Sequence, residues 1–369
     1  MCHDLTTPPT TMTLDDGASS LTLRALDRTS DAELAQLNAL EEAHQRHWFG
    51  ASQHRTAAQV RESYAGNEYW SHRLIVAELE NDSGGTIIAG CAELTFPLKE
   101  NLDTVYLDVC VHPALTGRGI GTALVDQGLA AIAQTDRTKI SSWGILGIQE
   151  DPDDPQLPIS RLAARAGLRR VTTAIIRTVS LPLPAETAEA LQRECDDAKG
   201  NYRILTWRGP VPEEYLDSWV QLMRQLDDDD PNEEWEMDTP EYTGERIREG
   251  EKTLAARGIE RIVAVAVAPD GTLAGNSYVD VRGEGSSLGA QENTVVMPEH
   301  RGHGLGLALK LATHRMVPEV APHVSTLITY NSHINDHMIR INEKLGYVAV
   351  AKEAAYQPAS VSGDEAEVA

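Results

Sequence analysis

Two glycine-rich segments carry the clearest chemistry in this sequence. Residues 111–125 read VHPALTGRGIGTALV, and residues 296–310 read VMPEHRGHGLGLALK. Each follows an apolar run and opens a helical pattern. Glycines let a backbone turn sharply and come close to a ligand. A helix starting behind them offers unpaired N–H groups and a positive dipole end to a pyrophosphate. Neither segment has the Gly-Lys-Ser/Thr ending of a nucleotide P-loop. Neither has the G-x-G-x-x-G spacing of a dinucleotide fold. A tight strand-to-helix turn with no ligand is the alternative for one segment alone, and its repetition argues against that.

Other residues could act beside these loops. Glu292 precedes the second one and is a candidate general base, able to take a proton from an attacking amine; the alternative is an exposed strand-face charge. Strict alternation places Glu292, Thr294 and Val296 on one face, with Asn293 and Val295 on the other. Asp108 is the nearest carboxylate of the first copy, one position out of register. His333 and His337 stand at the i, i+4 spacing of zinc ligands, but the intervening glutamate and a third ligand are missing, so no metal is expected. The acidic run from Asp227 to Glu236 could draw in a cationic amine. Trp235 could then offer its ring by cation–π contact. A solvated loop is the plainer reading of the same run.

The elements needed to hold these groups occur twice. Gly117 and Gly302 are 185 residues apart in a chain of 369, so the repeat is a duplicated domain rather than a short-period solenoid. Each copy opens with a short strand, then a helical pattern, then a hairpin pattern over 74–96 or 262–281. A further strand, 104–111 or 289–296, enters the glycine-rich loop. The helix behind it is expected to close at Pro318 in the second copy. We expect a disordered leader over 1–20, a first domain over 21–180, a linker over 181–200 containing a helix, a second domain over 201–356 and a flexible tail over 357–369.

Composition narrows the partners. The net charge of −24 argues against nucleic acid and against anionic membrane surfaces. No apolar run approaches the length of a membrane span, and the first 20 residues lack the pattern of a secretory signal. The four cysteines are scattered without metal spacing, so a reducing cytoplasm is the default. The oligomeric state is left open.

Both loops resemble motif A of the GNAT acyltransferases, which has the form Q/R-x-x-G-x-G/A and holds the pyrophosphate of acetyl-CoA. The resemblance covers both halves. It implies an α/β fold of two tandem GNAT domains, each a mixed, mostly antiparallel sheet flanked by helices. It also implies acetyl-CoA as co-substrate, bound through Val296, Met297, Pro298, Arg301, Gly302, His303, Gly304, Leu305 and Gly306. The first copy offers Val111, Gly117, Arg118, Gly119 and Gly121. Thr116 departs from the pattern there, so the resemblance favours the second domain for chemistry and makes the first a degenerate support. Asn335 falls where the family contacts the CoA arm. Asn342 falls where a tyrosine usually protonates the departing thiolate, which leaves water or Tyr330 as the acid. The implied activity is N-acetylation of a small, cationic amine. A mycothiol-synthase-type reaction on an aminosugar thiol precursor and a non-catalytic acyl-CoA-binding module are the alternatives.

Overall fold

The computed structural model describes residues 9–14, 20–80, 84–229 and 234–359. The first half runs β1 (Thr10–Thr13), β2 (Ser20–Ala25), α1 (Asp31–Phe49), α2 (Ala57–Ser63), β3 (Trp70–Glu80), β4 (Thr86–Pro97), β5 (Thr104–Val111), α3 (Ile120–Ile132), β6 (Lys139–Gly147), α4 (Pro158–Arg165) and β7 (Leu168–Ser180). After α5 (Ala185–Ala198), the pattern recurs as β8 (Arg203–Arg208), α6 (Leu216–Asp229), α7 (Gly244–Ala256), β9 (Ile259–Val267), β10 (Leu273–Arg282), β11 (Leu288–Val296), α8 (Leu305–Val320), β12 (Thr326–Ser332), α9 (Asp336–Lys344) and β13 (Val348–Pro358).

Local chemistry explains the element ends. Ser30 caps α1 by accepting from the Glu33 N–H, and Gly50 closes that helix in the left-handed conformation. Thr56 and Gln59 form a capping box at the start of α2. Leu34, Leu37 and Leu40 recur at helical spacing along α1. They pack with Val60 and Val76 on one face of the sheet. On the opposite face, α3 buries Ile120 and Leu124 against Leu94 and Leu107. Burying each such side chain contributes roughly 1.5–3 kcal/mol.

All thirteen strands form one sheet in the order β1-β2-β3-β4-β5-β6-β13-β7-β12-β11-β10-β9-β8. The pairings are antiparallel except β5–β6 and β11–β12. Those two parallel pairs hold only at their starts, from Thr104↔Lys139 to Tyr106↔Ser141 and from Leu288↔Thr326 to Ala290↔Ile328. Beyond these points the strands part, opening a V in each half. The closing strands are exchanged. The last strand, β13, lies between β6 and β7 of the first half, while β7 pairs with β12 of the second.

The structure departs from the sequence reading in several places. Thr10–Thr13 lies within the expected leader yet forms an edge strand on β2, with Leu14 buried beside it; the remainder, 1–8 and 15–19, lies outside the described residues. The linker helix α5 packs Leu191 and Cys195 into the second half's core. Pro318 does not end α8, which continues to Val320 because Val317 and Ala321 stay buried. Strand β13 extends into the expected tail. Gln357 is buried there, bonded to the Ser141 hydroxyl and to the Glu236 backbone; 360–369 lies outside the described residues. No helix among the described residues is long and apolar enough to cross a membrane.

Candidate active site

Both glycine-rich loops have the same construction. A one-turn helix, Pro113–Leu115 or Pro298–His300, follows the strand. Two glycines with positive φ come next, Gly117 and Gly119 or Gly302 and Gly304. Gly119 and Gly304 are the caps of α3 and α8, and neither helix start receives a side-chain hydrogen bond. A Cβ built on Gly117 or Gly302 would meet nothing within 4 Å. Free N–H groups behind an open glycine cradle fit a pyrophosphate. Gly121 and Gly306 are the second residues of α3 and α8, where a Cβ would stand 3.3 Å from Leu162 and 3.0 Å from Ile341; they permit α4 and α9 to pack closely.

Around the second loop the expected contacts are partly committed elsewhere. Arg301 donates through Nε to the Val296 carbonyl at 3.0 Å and pairs with Asp229. The His303 ring lies against Tyr202, which also bonds His300. Leu305 is core, Val296 packs toward α8, and Met297 packs toward α6. Pro298 opens the one-turn helix. Ala198 of α5 lies 3.0 Å from where a Gly304 Cβ would be. On the first loop, Arg118 is half-buried and Val111 packs against the α3 core.

Asn342, at the position where the resemblance puts a tyrosine, has its side chain engaged within the fold. Asn342 is fully buried, its Oδ1 accepting from Lys310 Nζ at 2.6 Å and its Nδ2 donating to Asn331 at 2.5 Å. With both ends engaged, it is not free to meet a thiolate. Burial pushes the Lys310 ammonium down to about 7. Beyond it, His314 bonds the Tyr347 hydroxyl at 2.8 Å. Asn335 caps α9 by accepting from the Met338 N–H.

Glu292 sits at a β-bulge. Ser277 pairs with Thr294 but Val279 pairs with Gln291, so β11 carries one extra residue there and the alternation fails. Glu292 is exposed on β11, yet partial loss of solvent around its carboxyl raises it, Asp280 adds repulsion and Arg261 opposes it. Asn293 bonds the Tyr278 hydroxyl at 2.7 Å. Tyr330 is 44% exposed on β12; desolvation raises its hydroxyl, and Glu353 and Glu292 raise it further.

Two cavities lie at the opening of the other half, the larger walled in part by residues of the second. One of about 330 Å³ opens where β5 and β6 part, lined by Glu41, His44, Glu93, Asp108, Trp143 and Glu353 among others. A second of about 430 Å³ shares Asp108 and Trp143 and extends to Trp70, His72, Arg246 and Arg257. Asp108 stands opposite Glu93 and is raised to about 7, chiefly by burial, then by Glu93 and Glu353; a hydrogen bond from the Trp143 N–H opposes the shift. Burial likewise raises Glu353 to about 7. Glu353 arrives on the exchanged strand β13, opposite Ile145 of β6. Glu93 is held by His72 Nδ1 and the Thr95 hydroxyl, both at 2.9 Å.

The acidic segment meets this site, not the second loop alone. Trp235 packs on Trp143, with centroids 5.2 Å apart, and is thus already covered by a ring. Met237 Sδ accepts from the Tyr106 hydroxyl at 2.8 Å, and Asp238 exchanges backbone bonds with the Asn101 amide. Residues 230–233 of the run lie outside the described residues. Sequence reasoning passed over Glu353, whose distance from the first loop hid it, and ranked Asp108 below Glu292.

Residues 37–150 match the model of the acetyltransferase (GNAT) family, so this segment is a GNAT domain. The whole chain shares its fold with a tandem GNAT protein from the clavulanic acid biosynthesis pathway. That likeness has 23% identity and a TM-score of 0.68, covering 91% of this chain and 98% of that one. It is also similar to a GCN5-related N-acetyltransferase from Sphaerobacter thermophilus, at 16% identity and a TM-score of 0.60 over 91% and 95% of the two chains. N-myristoyltransferase from Saccharomyces cerevisiae, with bound myristoyl-CoA, matches at 12% and 0.52 over 91% and 78%. No curated protein sequence matches the chain. Residues 37–150 are thus a GNAT acetyltransferase domain, and the chain as a whole has the two-domain fold of a tandem GNAT protein.

Proposed function

We propose that this enzyme transfers an acetyl group from acetyl-CoA to the amine of a small molecule, with the chemistry in the first half. The carrying observation is the cavity at the opening of β5 and β6, where Asp108 and Glu353 both titrate near neutrality. An ammonium entering among Glu93, Asp108 and Glu353 is attracted as a cation. It must then lose a proton before its lone pair can attack, and Asp108, raised to about 7, can accept that proton near neutral pH. Gly117, Arg118, Gly119 and the start of α3 would hold the pyrophosphate of acetyl-CoA, which supplies the thioester. Val111 and the open edge of β5 would line its arm.

The second half supports this reading by what replaces the acidic groups. Tyr278 stands in register with Glu93, opposite the bulge formed by Glu292 and Asn293. The α6 face there is filled by Trp219, Trp207 and Tyr278. Steady-state acetylation of a panel of primary amines tests the proposal. Asp108→Asn should lower kcat/KM by about 10²–10⁴-fold and remove the rise in rate with pH near 7. An unchanged profile would remove Asp108 from the role of base.

A further inference from the structure

The second half does not merely stand beside the first-half cavity; it builds one wall of it. Helix α7 docks on α2, where a Cβ on Gly258 would fall 1.9 Å from Gln59 Nε2. Asn67 donates to the Thr253 hydroxyl at 3.3 Å. Arg246 of α7 pairs with Glu100 and lies over the Tyr69 ring, 4.5 Å from its centroid. One turn past the end of this contact, Arg257 caps α7 and lines the larger cavity.

Unlike Arg246 and Arg55, Arg257 has no paired carboxylate among the described residues. Arg246 has Glu100, and Arg55 has Glu41. Arg257 forms no ion pair among the described residues, and its Nε is buried without a hydrogen-bond partner. Glu93 is the carboxylate whose charge it feels, yet Glu93 is engaged by His72 and Thr95. His72 leaves its own Nε2 buried and unpartnered in the same cavity wall. A guanidinium and an imidazole nitrogen both lack partners within a protein that carries an excess of acid. Leaving buried polar groups unpaired costs free energy, so such groups point to a ligand.

The cavity thus has two chemically opposite ends. Asp108, shared with the smaller cavity where Glu93 lies, stands toward the opening of the strands, Arg257 lies on the wall supplied by α7, and Trp70, Tyr106 and Trp143 line the space with rings. We infer that the acceptor is a zwitterion, an amine that also carries a carboxylate, and that Arg257 is the residue that binds this carboxylate. A guanidinium grips a carboxylate through two parallel N–H donors, which would orient the amine toward Asp108. The cofactor's pyrophosphate cannot satisfy Arg257, because the loop that would hold it opens α3 on the opposite face of the sheet from α1 and α2. This inference rests on the proposed acceptor site, and it is separable from the proposed chemistry.

The test pairs ω-amino acids, from glycine to 6-aminohexanoate, with alkylamines of matching length, and adds propionate as an anion alone. Binding is measured by calorimetry without acetyl-CoA, and turnover is measured separately. At the best length the amino acid should bind about ten- to a hundred-fold tighter than its alkylamine, the range for a charge-assisted pair. Arg257→Gln should erase that ratio and propionate binding together, and Arg257→Lys should restore part of each. Equal binding of both members, a ratio untouched by Arg257→Gln, or no binding of any probe would overturn the inference. Turnover of alkylamines with no preference would leave the acetyltransferase reading intact while removing Arg257. Arg257-dependent binding without turnover would do the reverse.

Discussion

The two halves share strand order, loop geometry and opening, yet they differ at three matched places. Asp108 and Glu93 face each other across β4 and β5, where the second half has Tyr278 opposite a bulge. Glu353 enters the first half on the exchanged strand, and 179 residues earlier the equivalent position of β7 is Ala174. Behind the loops the difference reverses. Val125 and Ala163 are buried apolar side chains, and their second-half counterparts are the bonded pair Lys310 and Asn342. One copy has placed its polar groups around a cavity, and the other has placed them inside its packing. On the proposed reading, fidelity of the loop motif is a poor guide to which copy works, because a pyrophosphate is held mostly by backbone. The acceptor side, which must supply specific side chains, separates them.

The strongest way to break this comparison is to fill one cradle at a time. Gly119→Trp should abolish first-half acetyl-CoA binding and lower turnover by at least about 10²-fold, as expected when the reacting groups lose their alignment. Gly304→Trp should leave turnover within about threefold, because that loop is remote from Asp108. Calorimetry with acetyl-CoA and steady-state rates on the same samples decide the matter, and an equal loss from both would assign chemistry to both halves.

A subtler effect sharpens the contrast behind the loops. Lys310 titrates at about 7 in the fold and near its ordinary value of 10.5 when unfolded. Between these values the unfolded chain binds the extra proton, so stability should rise with pH, by up to about 1.4 kcal/mol per unit. Lys310→Met should flatten that rise relative to the parent in urea titrations at pH 7 and pH 10. An identical slope in both proteins would show that Lys310 does not titrate there. The smallest expected effect is from Glu292→Gln, which should change kcat/KM by less than about threefold. A loss comparable to that of Asp108→Asn would move the base to the second half.

Much of this architecture was legible in the sequence. The repeated glycines needed positive φ, and periodic apolar residues marked the strands and helices around them, so duplication and loop geometry followed from local rules. Pairing between distant strands was not legible, because nothing local in residues 348–358 states that they insert beside 139–147. Glu353 was invisible as a site residue for that reason. Glu292 was placed by alternation, which one inserted residue breaks. Asp108 was ranked low by its loop, although its shifted titration comes from Glu93, Glu353 and burial. Arg257 reads in sequence as an ordinary cation at a helix end, and only the docking of α7 on α2 gives it a cavity to face.

The exchanged strands also bear on how the molecule is made. The segment that fills the gap between β6 and β7 is the last of the thirteen strands in chain order. Until residues 348–358 leave the ribosome, the first half exposes two open strand edges and lacks one of its acidic groups. Such edges are sticky, so the nascent chain must hold an unfinished sheet until that strand is made. A message truncated anywhere before these codons would yield not a smaller enzyme but an incomplete one, missing the middle of its own sheet.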